Sequence, residues 1–396
     1  MSWPRLGWIV ILVYTLSSSL NYLDRMVMAA LAPELRREFT LSNSDYGLIV
    51  SALSLTYAAV SPLAGLFIDR VGLRGGIAVS VALWSLASMA RGTVASFRGL
   101  LGWQAALGAA EAGGIPGAGK AVALYLRPEE RALGAAMNQI GLSIGTVGAP
   151  LLVGWVSPLY GWRATFFITG ILGFLWLPLW LLTMRRAAVL EGAARPDPPP
   201  VGAMLRDRRL WLLVSANILA MTVYSLWTNW TTLFLVQEHG LSQVDANRWF
   251  AWLPPLAASL GGLTGGWFAF RLMRAGWEVH AARMRVCQVG AVALLVTGVV
   301  PYMPGAALAT AAICLSFFSI TSVSVNVYMM PVDLFGAERS AFGVSALTFA
   351  YGLMQTVASW GFGTLIDRYG FAPVCALVAL LPLAAVGLLR FTRPST

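Results

Sequence analysis

The chain has 396 residues, of which 58% are hydrophobic and only 11% charged. A water-soluble domain carries about 25% charged residues, so this chain lacks the polar surface that a soluble enzyme or a soluble nucleic-acid-binding domain of its length requires. The net charge of +10 therefore reads as basic loops that orient a membrane protein, not as a nucleic-acid partner.

An apolar run must be about 20 residues long to cross a bilayer as a helix. About twelve such runs follow one another, over residues 7–32, 45–68, 75–95, 98–125, 130–157, 163–184, 209–236, 246–271, 285–302, 305–331, 340–366 and 371–390. Strands of a membrane barrel would be about ten residues long and alternate in polarity, and these runs do neither. The fold class expected is an all-α polytopic membrane protein of about 12 transmembrane helices. Residues 1–20 carry Arg5 and then an apolar run, as a signal peptide does, but the run continues into "NYLDR" without a convincing cleavage site. An uncleaved first span is expected.

The longest polar break is "RRAAVLEGAARPDPPPVGAMLRDRR", Arg185–Arg209. It divides the chain into an N-terminal six-helix bundle (1–184), a linker (185–208) and a C-terminal six-helix bundle (209–396). Each bundle contains related pieces. "GLFIDRVG" (Gly65–Gly72) ends the second run, "GWVSPLYG" (Gly154–Gly161) the fifth and "GTLIDRYG" (Gly363–Gly370) the eleventh, while "GGWFAFRLMRAG" (Gly265–Gly276) is a degenerate version ending the eighth. Three-helix units repeated inside six-helix units are the mark of the major facilitator architecture. With the N-terminus inside, nineteen of the 27 Lys and Arg fall on the cytoplasmic side and seven, Arg91 among them, on the outer side, the remaining one being Arg25. This bias places both termini in the cytoplasm.

Charges deep within the runs are few. The first run holds Asp24 and Arg25, and the fourth holds Glu111. A charge at the bilayer centre costs about 2.5–3.5 kcal/mol even on an insertion scale, and such groups mark transport paths by default. Asp24 and Arg25 are adjacent and diverge by about 100° on a helix, so they do not pair with each other. Gln104, Gly108 and Glu111 share a face, with Gly108 leaving room between the polar groups, as do Ser54, Tyr57 and Ser61 on the second run. In the second half Tyr224, Thr228 and Thr231 form one stripe, Ser322 and Asn326 another, and Thr348, Tyr351 and Gln355 a third. Ser and Thr also glue helices together, so each stripe alone is a weak signal. Two readings of the charges stand side by side. In one, Asp24 and Glu111 are proton-coupling sites whose affinity for the proton responds to a solute arriving at Arg25. In the other, Arg25 and Glu111 are a static pair holding helices one and four together. Lys120, roughly 13 Å along the helix from Glu111, is expected to anchor at the interface.

No enzyme constellation appears: there is no GxSxG, HExxH or Walker loop. Cys287, Cys314 and Cys375 lie in apolar runs without metal-ligand spacing, and His239 and His280 fall in expected loops. No catalytic residue, metal or cofactor is expected, with the proton as coupling ion.

The stretches "NYLDR", "GLFIDRVGLRGG", "GAAEAGGIPGAGKAVALYLRPEERALGAAMNQIG", "YGWRATFFITGILGFLWLPLW" and "FAWLPPLAASLGGLTGGW" resemble the anion:cation symporters of the major facilitator superfamily. The likeness is greatest to the bacterial hexuronate, aldonate and aldarate permeases, with sialin and the vesicular glutamate transporters as more distant relatives. It runs along essentially the whole chain. The resemblance implies proton-driven uptake of a sugar acid by alternating access, in the cell inner membrane, by a monomer whose partners are a small organic anion and membrane lipids. Asp24 and Glu111 match the family's protonatable carboxylates; Tyr22, Arg25 and Tyr57 match its substrate-site residues. Gln104, Tyr224, Asn326, Thr348 and Gln355 are added as substrate-binding candidates by position. Asp69, Arg70 and Arg74 form a gating loop at the cytoplasmic edge.

Two departures stand out. The family commonly has Arg seven residues before the helix-four Glu, and here that residue is Gln104; Phe270 stands where the loop motif often has Asp. Arg25 is thus expected to be the only cation deep in the cavity. A mono-anion rich in hydroxyls fits that site, a dianion fits it less well, and a neutral or zwitterionic solute comes into consideration. "NYLDR" also occurs in spinster-type facilitators, so an exporter of lipophilic or lysolipid compounds is the alternative from another class.

Overall fold

A computed structural model describes residues 3–127, 130–187, 202–335 and 337–392 of the chain. Its elements are helical throughout. They are α1 (Trp3–Ala30), α2 (Ala32–Glu38), α3 (Asn43–Val71), α4 (Leu73–Arg91), α5 (Phe97–Glu111), α6 (Gly114–Tyr125), α7 (Arg131–Ala187), α8 (Gly202–Leu205) and α9 (Arg208–His239). After these come α10 (Gln243–Asp245), α11 (Leu253–Arg274), α12 (Val279–Ala293), α13 (Ala306–Phe335), α14 (Ala337–Tyr369) and α15 (Phe371–Leu389). Among the described residues, eight helices are long and apolar enough to cross a membrane. One of them, Leu133–Arg185, has 53 residues, about 80 Å at 1.5 Å per residue, which is enough for two crossings. The chain is an all-α polytopic membrane protein.

The apolar runs and the helices largely coincide, and two of the local differences bear on the motifs. The run 98–125 is not one helix: α5 stops at Glu111 and α6 starts at Gly114, where Gly113, Gly114 and Pro116 weaken helix propagation. The runs 130–157 and 163–184 are joined into α7, broken only by Gly161 at φ 76° and ψ 165°. That conformation explains the repeated motif. Its closing glycines, Gly72 (φ 86°), Gly161 (φ 76°) and Gly370 (φ 76°), and Gly276 (φ 88°) in the degenerate copy, all have positive φ. For Gly72, Gly161 and Gly370, ψ is also extended, at 159°, 165° and −176°. Essentially only glycine adopts this combination, so each copy of the motif encodes one sharp break between helices.

The chain forms two compact units. Unit 1 comprises residues 1–196 together with 242–252, and unit 2 comprises 197–241 and 253–396. The expected linker, 185–208, falls largely on residues 188–201, outside the described residues. In unit 1, Tyr14, Ile77, Trp84, Leu107, Trp176 and Trp180 belong to a common core. Trp176 stacks on Trp180 at 5.2 Å, and Tyr14 meets Trp180 edge-on at 5.9 Å. Segment 242–252 docks on the same unit: Gln243 Nε2 donates to Glu34 Oε2 (2.8 Å), Asn247 Nδ2 to Ala30 O (2.8 Å) and Arg248 Nε to Gly154 O (2.7 Å).

Lipid tails are as apolar as leucine, so membrane helices associate through close packing and interhelical hydrogen bonds. Both units do this in the same way. In unit 1, a Cβ at Gly108 of α5 would stand 2.3 Å from Leu53 O, and Thr56 Oγ1 donates across to Ala105 O at 2.7 Å. In unit 2, a Cβ at Gly261 of α11 would stand 2.1 Å from Phe318 O, and Thr321 Oγ1 donates to Ala258 O at 2.7 Å. Gly108 therefore serves backbone approach to α3 rather than room between polar groups. The outward faces carry Leu63, Leu66, Leu175, Leu263 and Val357, all exposed, an apolar coat that suits lipid and not water.

Candidate functional site

The charged residues of unit 1 assemble into two neighbouring ion pairs. Arg25 of α1 donates from Nε (3.1 Å) and Nη2 (2.7 Å) to the same oxygen, Oε2, of Glu111 at the end of α5. Its guanidinium lies over the rings of Tyr22 (5.2 Å) and Tyr57 (4.8 Å), where the ring quadrupoles attract the cation. The Glu111 side chain is wholly buried, while that of Arg25 keeps 18% of its surface. Glu111 Oε1 is buried without a hydrogen-bond partner, which is costly for a carboxylate oxygen.

The second pair is drier. Arg91 Nη2 donates to Asp24 Oδ1 at 3.1 Å, with side-chain exposures of 0% and 1%. Arg91 also donates from Nη1 to Gln104 Oε1 (3.1 Å) and from Nη2 to Ser88 Oγ (3.0 Å), and lies over the Phe166 ring at 4.5 Å. The Ser88 hydroxyl donates to Asp24 Oδ1 and contacts Thr169 Oγ1 at 2.8 Å. Four helical segments thus meet at Arg91: its own α4, α1 through Asp24, α5 through Gln104 and the second half of α7 through Phe166.

This overturns one expectation. Arg91 counted among the outer-side cations, leaving Arg25 alone in the interior, but Arg91 is fully buried. The reason is local geometry. Cα–Cβ bonds on a helix tilt toward its N-terminus, so the last residue of α4 sends its long side chain back into the bundle. A signal was present in the sequence: Ser85, Ser88 and Arg91 recur every three residues and form a polar stripe on α4, and all three are fully buried.

Of the remaining expected site residues in unit 1, Gln104 is buried beside Arg91 and Asp24, its carbonyl oxygen committed to Arg91. At the far end of α3, Asp69 Oδ1 accepts from Lys120 Nζ at 3.1 Å, and Lys120 also donates to Ile68 O at 2.9 Å. Lys120 therefore ties α6 to the C-terminal end of α3, where the gating loop is expected. Arg70 is exposed, and the Arg74 carbonyl accepts from Trp180 Nε1 at 3.1 Å.

In unit 2, Tyr224 of α9 meets Phe317 of α13 edge-on at 5.4 Å and Tyr351 of α14 at 6.4 Å. Thr348 and Gln355 are half-buried on α14, Thr348 Oγ1 donating to Val344 O at 3.0 Å. Asn326 is fully buried, and its Nδ2 donates to Gly265 O (3.2 Å) and Ser322 O (2.9 Å). It works as a strut in the α11–α13 seam. Among the described residues no group of His, Cys, Asp and Glu could hold a metal ion.

The family model described as Major Facilitator Superfamily matches residues 14–359. The chain belongs to this superfamily. This facilitator is 29% identical over 397 residues to the hexuronate transporter of Escherichia coli (strain K12), covering 96% of its own length and 92% of that protein. It is 30% identical over 333 residues to the galacturonate transporter of Dickeya chrysanthemi, covering 78% of its own length and 96% of that protein. Among solved structures, a bacterial homolog of the human lysosomal transporter Spinster, in an inward-facing and occupied conformation, matches with a TM-score of 0.74 at 19% identity. It covers 97% of this chain and 94% of that one, and at that identity the likeness is one of fold. The named relatives are transporters, so the facilitator is not read as an enzyme.

Proposed function

We propose that this facilitator takes up a sugar acid, a hexuronate or aldonate, in symport with protons by alternating access. Its place is the cell inner membrane with both termini in the cytoplasm. The observation that carries this reading is the Arg25–Glu111 pair. Both bonds from Arg25 end on one carboxylate oxygen, and Arg25 is the partner that keeps exposed surface. A substrate carboxylate is chemically the same group as the one Arg25 already holds, and guanidinium recognises carboxylates through a fork of donors. Substrate therefore competes with Glu111 for Arg25. A buried carboxylate without its cation is expensive, and Glu111 resolves this by taking a proton. Binding of anion and proton are thereby linked, and the pair passes through the membrane without adding net charge to the bundle. The names of the hexuronate and galacturonate relatives support this substrate class.

The test uses the purified full-length protein in liposomes loaded with a pH-sensitive dye. Adding D-galacturonate, D-glucuronate or D-galactonate outside should acidify the lumen, and inactive carboxyl-free sugars should not. Substrate accumulation without acidification would refute proton coupling. Silence to every sugar acid from folded protein would refute the substrate class.

A further inference from the structure

The two ion pairs are alike in charge and unlike in access, and that difference has a consequence for selectivity. Among the described residues Arg91 is the only Lys or Arg that is fully buried. Its Nη1 is engaged by Gln104 and its Nη2 by Asp24 and Ser88, and Phe166 covers its face. Each of these partners is itself buried to 2% exposure or less. A solute would have to dismantle four contacts to reach this guanidinium. Arg25 makes one ion pair and keeps 18% of its side-chain surface.

The helices of unit 2 do not supply another cation at mid-membrane. In α9 the Arg residues are Arg208 and Arg209 at its start; α13 and α15 have none; in α14 they are Arg339 and Arg368 near its two ends. In α11 they are Arg271 and Arg274 in the last turn, and in α12 Arg283 and Arg285 in the first two turns.

We propose that Arg91 is a positioning residue committed to Asp24, and that this commitment leaves Arg25 as the single cation offered to substrate. The carrier accordingly selects sugar acids with one carboxylate over those with two. This rests on the sugar-acid reading above and narrows it. Among the buried charges of the described residues, the second carboxylate of an aldarate would find no cation that is not already paired, and an unpaired charge away from water is strongly disfavoured. Gln104 does not relieve it, because its amide N–H groups can donate to a carboxylate but bring no charge, and its carbonyl oxygen serves Arg91. The cation absent from position 104 is present one helix away, turned inward and occupied.

The decisive experiment is equilibrium binding of D-galacturonate, D-galactonate and galactarate to the purified full-length protein, since galactonate and galactarate differ chiefly in the second carboxylate. Galactarate is expected to bind at least tenfold more weakly than the better of the two mono-acids. In the charge relocation Arg91→Gln/Gln104→Arg, which conserves net charge, the ratio should fall to within about threefold, because the cation now projects from α5; Arg91→Lys should keep the wild-type ratio. Equal binding of galactarate and mono-acid to the wild type would overturn the proposal whatever the variants do. An unchanged ratio in a folded double variant would overturn the role of Arg91. Binding of none of the three by folded wild type would instead refute the sugar-acid reading on which the proposal stands.

Discussion

Arg25 reaches Glu111, 86 residues later in the chain, through two bonds that both end on Oε2, while Oε1 stays buried without a partner. One oxygen takes both bonds and the other takes none. Such a pair is poised for exchange, since a second donor or a proton improves it. Glu111→Gln keeps a side chain of the same shape that still accepts from Arg25 but carries no titratable proton. It should still bind substrate within about tenfold of wild type, a penalty of about 1.4 kcal/mol. It should abolish substrate-driven lumen acidification. Acidification at the wild-type rate would remove Glu111 from the coupling path.

Arg25→Lys tests the fork. Lysine is a point charge that cannot reproduce paired donors or lie flat on Tyr22 and Tyr57. Substrate affinity should fall by roughly 10- to 100-fold, in line with about 1.5–3 kcal/mol for a hydrogen bond to a charged group. Titration calorimetry measures it directly, and an unchanged affinity would place substrate elsewhere.

Asp24 and Arg91 should behave as a unit in stability. Removing one partner leaves the other charge buried and uncompensated, a cost of about 3–5 kcal/mol, whereas replacing both is close to neutral. Asp24→Asn and Arg91→Gln should each lower the thermal midpoint in detergent sharply, and the double variant should recover most of the loss. Additive losses would mean that the two side chains are not coupled.

Gly108 and Gly102 lie on the same helix and make a matched pair of variants. A Cβ at Gly108 would stand 2.3 Å from a backbone oxygen, whereas at Gly102 nothing lies within 4 Å. Gly108→Ala should cost about 1–3 kcal/mol through overpacking. Gly102→Ala should be neutral or slightly stabilising, since Ala is the better helix former. Equal midpoints for the two variants would contradict the α3–α5 packing.

Asp207 caps α9, its carboxylate accepting from Arg209 N at 2.8 Å and from the Arg209 guanidinium at 2.8 Å. Hydrogen bonding by the Arg209 side chain holds its carboxyl below the ordinary range. Asp207→Ala should cost about 0.5–2 kcal/mol at neutral pH. A carboxyl with a depressed folded pKa stabilises above its unfolded value of about 3.9 and loses that contribution as pH falls through the folded value. The gap between wild type and variant in detergent melts should therefore be constant near pH 7 and close below about pH 4. A gap independent of pH would mean that the cap works without its charge.

Much of this protein is legible in one dimension because lipid imposes a one-dimensional rule. A bilayer requires runs of about 20 apolar residues with every backbone group bonded within the helix, so composition and run length determined the all-α membrane class and the order of the spans. The closing glycines Gly72, Gly161 and Gly370 were legible for a similar reason: a positive φ with extended ψ admits almost nothing else. The identities of Asp24, Arg25 and Glu111 were legible because charge within such a run is too expensive to be incidental. Who pairs with whom was not. Arg25 and Glu111 could be set beside each other only as one of two readings, and Arg91 was assigned to the outer side. Its burial depends on the tilt of a side chain at the end of α4 and on Asp24, Gln104 and Phe166 arriving from three other segments. Sequence periodicity reports the faces of each helix separately, and only tertiary packing decides which faces meet. That decision buried a second arginine against Asp24, while Arg25 keeps 18% of its side-chain surface.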